Sequence, residues 1–307
     1  MTEEWHGPAA SHPLDGPRGK LARGAQQALL LNQHCETYAV SQPIRLVTGF
    51  DAGSRAHLVH VEGRPPPLYL GLILGEVVHD LRSALDQLAW QLAVQHTDPS
   101  VLVSRSVTTA IQFPITRSEE DFRNHRGIKY ISPEAVALIE NRQPYHNIGG
   151  PLVNPLAVVQ ELSNTDKHQV LRPSLGQIRT DDLVFLSSVP IDLQEVEPLL
   201  PDSAVFAGDD IPILRIPAPE GARLVFEPPP VRVHFVTEAT GQPMLIRPDQ
   251  VHELCLKIAE VINSFERLFP SVDWSDRVRS WVTPGMEGTH YSQLDMSEGN
   301  HREQPEP

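Results

Sequence analysis

Glu76, His79, Ser83 and Asp86 follow one another at intervals of three or four residues, with Gln87 beside them and Arg82 at the edge, the spacing that gathers side chains on one side of an α-helix. An imidazole beside a carboxylate is the pair that moves protons in general acid–base chemistry. An arginine next to them is a natural anchor for an anion. This polar side carries no Lys and lies between Leu72 and Trp90, unlike a solvated helix face, which is normally rich in Lys and Glu. A second set, Glu161, Asn164, Thr165 and His168 with Asn154 ahead of it, shares one helical face in the same way. Facing each other, the two sets would make one polar seam. In it Glu76, Arg82, Glu161 and Asn164 are candidate ligand-binding groups, and His79, Asp86 and His168 are candidate catalytic groups.

Glu76-Val-Val-His79 also has the carboxylate–imidazole spacing that metal-carboxylate bundles repeat on a second helix. There the repeat breaks, because Glu161 is followed three residues later by Asn164, a poor ligand. His79, Asp86 and His168 would suit a mononuclear metal. A seam in which both imidazoles hydrogen-bond to carboxylates accounts for the same residues without one, and it is the preferred reading. No metal and no cofactor is assigned. Arg82 and Asp86, four apart, can pair along their helix, a pair worth little if exposed but costly to desolvate if buried. Arg142-Gln143-Pro144-Tyr145-His146, followed by Gly149 and Gly150, reads as a shaped turn ahead of a mobile lid. Ser83 sits in mid-helix, where its hydroxyl is expected to bond back to the preceding turn. The chain has no phosphate loop, no Gly-x-Ser-x-Gly elbow, no dinucleotide fingerprint and no His-Glu-x-x-His.

The elements that must position these residues follow from periodicity. Residues 70–95 form a long helix whose apolar stripe is Leu74, Val77, Leu81, Leu85, Leu88 and Leu92. Residues 155–171 form another. A third, over 248–269, carries Val251, Leu254, Ile258, Val261, Ile262 and Phe265 on one side. A further helix is expected over residues 20–38. The alternating runs 44–50 and 56–63 flank Asp51-Ala52-Gly53-Ser54 and read as a hairpin. Residues 97–106 read as a loop, and Ile111–Ile115 as a short edge strand limited by Pro114. Ser118 and Ser132 mark two helix starts. Residues 182–236 turn to strands: 183–189, 205–208, 213–218, 223–227 and 231–236.

The expected architecture is therefore α+β: three main core helices packed with an antiparallel sheet, and disordered termini. Residues 1–17 are read as a mobile leader, 18–270 as a single domain, and 271–307 as a polar tail in which Trp274 and Trp281 are docking points.

Composition narrows the function. With 40% hydrophobic residues among 307 the chain can bury a core. Its formal net charge of −14 opposes an extended nucleic-acid surface, which relies on Lys and Arg against phosphates. No apolar run reaches the roughly 18 residues of a membrane span, so no membrane association is expected. The first twenty residues lack the pattern of a signal peptide, which leads to an expected cytoplasmic location. Two cysteines far apart, Cys35 and Cys255, support neither a disulfide framework nor a zinc site.

The run GEVVHDLRSALDQLAWQL, then QPYH, then ELSNTDKHQVL resembles a family of uncharacterised bacterial proteins that pair an HDLRSALD-type helix with a later DKH segment. The resemblance spans residues 67–172 and implies no particular activity. A more distant similarity is to HEPN-type helical domains, whose ribonuclease members use an Arg followed after four to six residues by a His. Here Gln87 stands where a four-residue spacer after Arg82 requires that His, and Gln can act as neither general base nor acid. Three readings stay open: a polar pocket for a small anionic ligand or nucleotide, a hydrolase or nuclease using the same pocket, and a non-catalytic interaction protein whose seam fixes helix packing or a homodimer.

Overall fold

Helix α2 (Tyr69–His96) is the axis on which the other elements are laid. Its stripe from Leu74 to Leu92 is buried as its periodicity requires, and Leu70, Gly71, Gly75, Val78, Ala84, Ala89 and Ala93 are buried as well. Small residues on this second line let neighbouring backbones come close, so α2 is covered on more than one side. The computed structural model describes residues 12–148, 153–175, 183–199, 212–228, 231–239 and 242–269, and these belong to one compact unit.

Helix α1 (Asp15–Val40) packs along α2 and makes a fourth main helix beside the three expected. It begins five residues before Lys20, despite Gly16, Pro17 and Gly19. His12, Leu14, Pro17 and Arg18 are all buried, so packing overrides weak local propensity here. Residues 12–17 are thus folded against the core, and residues 1–11 of the expected leader lie outside the described residues. Between α1 and α2, Asp80 is 1% exposed and faces Lys20 Nζ at 2.9 Å and Arg23 Nε at 3.2 Å. A carboxylate so buried needs these two cations.

Four short helices follow: α3 (Pro99–Leu102), α4 (Arg105–Ala110), α5 (Glu119–Arg123) and α6 (Pro133–Glu140). Helix α3 and the start of α4 fall in the loop expected over 97–106; Asp98 caps α3 by accepting the Ser100 amide, with Pro99 in the first turn. Ser118 and Ser132 cap α5 and α6 as their sequence suggests. Helices α7 (Pro155–His168) and α8 (Pro248–Asn263) complete the α-helices among the described residues. The stripe of α8 is buried throughout. Helix α7 stops at His168 rather than 171, because Gln169 turns extended and the chain passes into a strand at Arg172, ahead of Pro173.

The strands are antiparallel and fall into three sheets among the described residues, not one. The hairpin β1 (Ile44–Asp51) and β2 (Ala56–Gly63) joins β6 (Pro212–Ile216) and β5 (Glu197–Pro198) in the order β1-β2-β6-β5. A second sheet has the order β3-β8-β9, from β3 (Arg172–Leu175), β8 (Val233–Ala239) and β9 (Gln242–Ile246). The third pairs β4 (Phe185–Ser187) with β7 (Leu224–Phe226). No sequence expectation covered β3 or β9.

The fold is α+β, with two apolar clusters among the described residues. The large one unites the helices with Val233, Phe235 and Ile246 of the second sheet. The small one, around Val59, Ile213, Leu214 and Ile216, lies among the other strands. The strand expected at 205–208, residues 271–307, and Trp274 and Trp281 lie outside the described residues. Among the described residues no helix is long and apolar enough to cross a membrane.

Candidate functional site

Helices α2 and α7 do pack together, but their polar faces do not merge into one seam. They meet at Arg82. Its Nε and Nη2 donate to Asp86 Oδ2 and Oδ1 at 3.2 and 2.8 Å. Nη2 also donates to the Phe113 carbonyl at 2.9 Å, and Nη1 to Gln160 Oε1 of α7 at 3.0 Å. Asp86 Oδ1 in turn accepts the Phe113 amide at 2.9 Å. Both backbone polar groups of Phe113, whose own side chain is fully buried, are thus satisfied by one ion pair. The segment expected as an edge strand, Ile111–Ile115, has no ladder partner; side chains take the place of a neighbouring strand.

Gln143 continues that work. Fully buried, it donates from Nε2 to the carbonyls of Pro114 and Ile139 at 2.9 and 3.1 Å, and its Oε1 accepts the Thr116 amide at 2.9 Å. The Arg142–His146 stretch is therefore a shaped turn, with Pro144–His146 as one 3₁₀ turn. Asn154 ties it to α7, donating to Arg142 O and Asn147 Oδ1 while capping the helix through Leu156 N. Gly149 and Gly150 lie outside the described residues.

Most of the Arg82 guanidinium, 14% exposed, is spent on these partners, which leaves little of it for an incoming anion. Asp86 serves the same knot. Beside them stands His125, which sequence periodicity did not single out because it follows a short helix in an irregular segment. Its Nδ1 accepts the Gly127 amide at 3.2 Å. Desolvation, and then the charge of Arg82, hold the imidazole below its ordinary pKa, against the opposing pull of Asp86.

The remaining candidates separate. Glu76 is exposed and has no hydrogen-bond or ion-pair partner among the described residues. His79 is exposed too; its Nε2 lies 3.5 Å from Ser83 Oγ, and its charge acts on Asp166 of α7. Ser83 accordingly meets His79. His168 is on another side of α7. His79, Asp86 and His168 do not come together as a ligand set, and among the described residues no three His, Cys, Asp or Glu side chains do.

What the structure does bring together is Glu161, Asn164 and His168. They line a cleft of about 450 Å³ between α7 and the β3–β8 pair, with Thr165, Arg172, Val236 and Thr237. Helix α7 aligns the first three along one edge. Thr165 and Thr237 join it to β8, their hydroxyls 2.7 Å apart. Arg172 opens β3 opposite Val236, and both line the cleft.

The charges here are unequal in freedom. Glu161, 15% exposed, is paired with Arg117, which arrives from the end of the segment held by Arg82 and Gln143. Asn164 accepts from Gln160 Nε2 at 3.0 Å, linking the cleft to the Arg82 knot. The side chains of Arg172 and His168 have no hydrogen-bond or ion-pair partner among the described residues. Such a cleft offers cationic and donor groups to an incoming anion, and the one carboxylate of its described lining, Glu161, is already paired. Arg172 escaped sequence reasoning because it lies beyond the helix; the only signal was its place just before Pro173. Comparison of the chain with protein-family models, with curated proteins and with solved structures finds no match.

Proposed function

We propose that the protein binds a small anionic ligand in the cleft between α7 and β3–β8. The observation that carries this is the unpaired guanidinium of Arg172 at a cleft of about 450 Å³, within the size range of small-molecule sites, in a chain of net charge −14. In so acidic a protein an arginine left without a carboxylate partner is a strong local preference for an anion. Arg172 supplies the charge and a bidentate fork. His168 and Asn164 supply hydrogen bonds from α7, and the Thr165–Thr237 pair closes the floor. The described lining holds no Phe, Tyr or Trp, so a nucleotide would be held by its phosphate and not by stacking of its base. Two buried free thiols, Cys35 and Cys255, agree with a reducing, cytoplasmic setting.

A second reading is favoured for the other half of the expected seam. The closed network of Arg82, Asp86, Gln160 and Phe113 supports a role in fixing helix packing.

Titration of inorganic phosphate and of a nucleoside monophosphate by calorimetry tests the ligand reading. Saturable binding is expected for the wild type, with a loss of about tenfold or more in Arg172→Ala, since a charge-assisted hydrogen bond is worth about 1.5–3 kcal/mol. His168→Ala should lose less. Equal affinity of Arg172→Ala and wild type for both probes would sink the assignment.

A further inference from the structure

A cleft meant for an anion has a carboxylate in its wall, and that contradiction points to a neighbouring residue. Glu161 lines the cleft on the same helix edge as Asn164 and His168 and is 15% exposed. Left alone it would offset Arg172 and repel an anion, because an uncompensated charge a few ångströms away in a partly desolvated site acts with little screening. It is not left alone. Arg117 pairs with it from outside the cleft.

The Arg117 side chain is 44% exposed, but the backbone that carries it is held. Its neighbour Thr116 donates its amide to Gln143 at 2.9 Å, and Pro114 accepts from the same side chain at 2.9 Å. Three residues further back, Phe113 is gripped by Arg82 and Asp86. The segment has no strand partner, yet buried side chains fix it at successive points up to the residue that meets Glu161. The exposed i,i+4 pair Arg123–Glu119, by contrast, lies within one short helix.

We infer that Arg117 determines the ligand specificity of the cleft, cancelling the charge of Glu161 so that Arg172 sets the sign of what binds. This rests on the anion-binding reading above. Arg117 is a specificity-determining residue that acts through Glu161, with Gln143 as the side chain that positions it. The ligand class that follows is a compact anion of the phosphate or carboxylate type. A cationic ligand belongs to the protein only when Arg117 is removed.

Inorganic phosphate binding, measured for wild type, Arg117→Ala, Glu161→Gln and the double variant, tests the inference, with circular dichroism confirming that each is folded. Arg117→Ala should weaken phosphate by about tenfold, the scale of one uncompensated charge in a half-open site. Glu161→Gln alone should bind at least as well as wild type. The double variant should recover to near the wild-type value, because the charge that Arg117 cancels is gone. A double variant as weak as Arg117→Ala overturns the inference, as it would mean that Arg117 touches the anion itself. So does an Arg117→Ala variant that binds like wild type. Wild-type protein that binds no phosphate overturns the pocket reading itself, and this inference with it.

Discussion

Gly71 of α2 lies directly beneath the carbonyl of Leu171. A Cβ at position 71 would overlap that oxygen, and the obstacle is backbone, so it can move only if the connection from α7 to β3 moves. The next residue is Arg172. The contact that seats the α7–β3 connection on α2 therefore also fixes where the backbone of Arg172 begins.

Gly71→Ala and Gly75→Ala should differ sharply for this reason. Both gain helix propensity of about 0.5–1 kcal/mol. At Gly75 the obstructing atoms are the carboxylate of Asp166, the end of an exposed side chain that can turn aside, so the net effect should be near zero. At Gly71 the overpacking cost of about 1–3 kcal/mol should prevail and phosphate affinity should fall with it. Urea denaturation of the two variants checks the order; equal stabilities would show that the α7–β3 connection is not pinned there.

Arg82→Ala should destabilise the fold by about 2–3 kcal/mol, since it strips charge-assisted partners from Asp86, Gln160 and the buried Phe113 carbonyl at once. The folded variant should still bind phosphate saturably. Loss of binding without loss of stability, measured on the same preparation, would return Arg82 to the role its sequence position suggested.

The carboxyl of Asp166 rests against Gly75, where desolvation raises its pKa above the ordinary carboxylate value and the charge of His79 opposes the rise. A carboxyl with a raised folded pKa binds its proton more tightly folded than unfolded. Stability therefore falls as pH climbs from the unfolded value, about 4, through the raised one, and the deficit persists above it. Asp166→Asn removes the deficit, so its Tm should exceed that of wild type at neutral pH and coincide with it at about pH 3. A Tm advantage that grows toward acid would contradict this assignment.

Much of the helical frame was legible because apolar periodicity is a local record of burial. Leu74 to Leu92 and Val251 to Phe265 read correctly as core stripes for that reason, and Ser118 and Ser132 read as caps. The start of α1 was hidden because Gly16, Pro17 and Gly19 are poor helix formers and only the burial of Leu14 and Arg18 overrides them. Strand β3 was hidden because four residues ending a helical run carry no alternation to detect. In the site, Glu161, Asn164 and His168 were legible as one helical edge. Arg172, Arg117 and Gln143 were not, since Arg172 lies beyond the helix and the other two reach their partners from another element.

The sequence by itself determined which faces of α2, α7 and α8 are apolar, and that α7 carries one edge of chemically capable residues, because helical spacing alone decides which side chains share a side. It left open what each polar face meets. Only the tertiary structure decided that Arg82 is spent on Phe113 and Gln160 while Arg172 stands unpaired. The physical reason is that a charged group is defined by its partners, and those partners come from distant segments brought close by glycine contacts and buried amides.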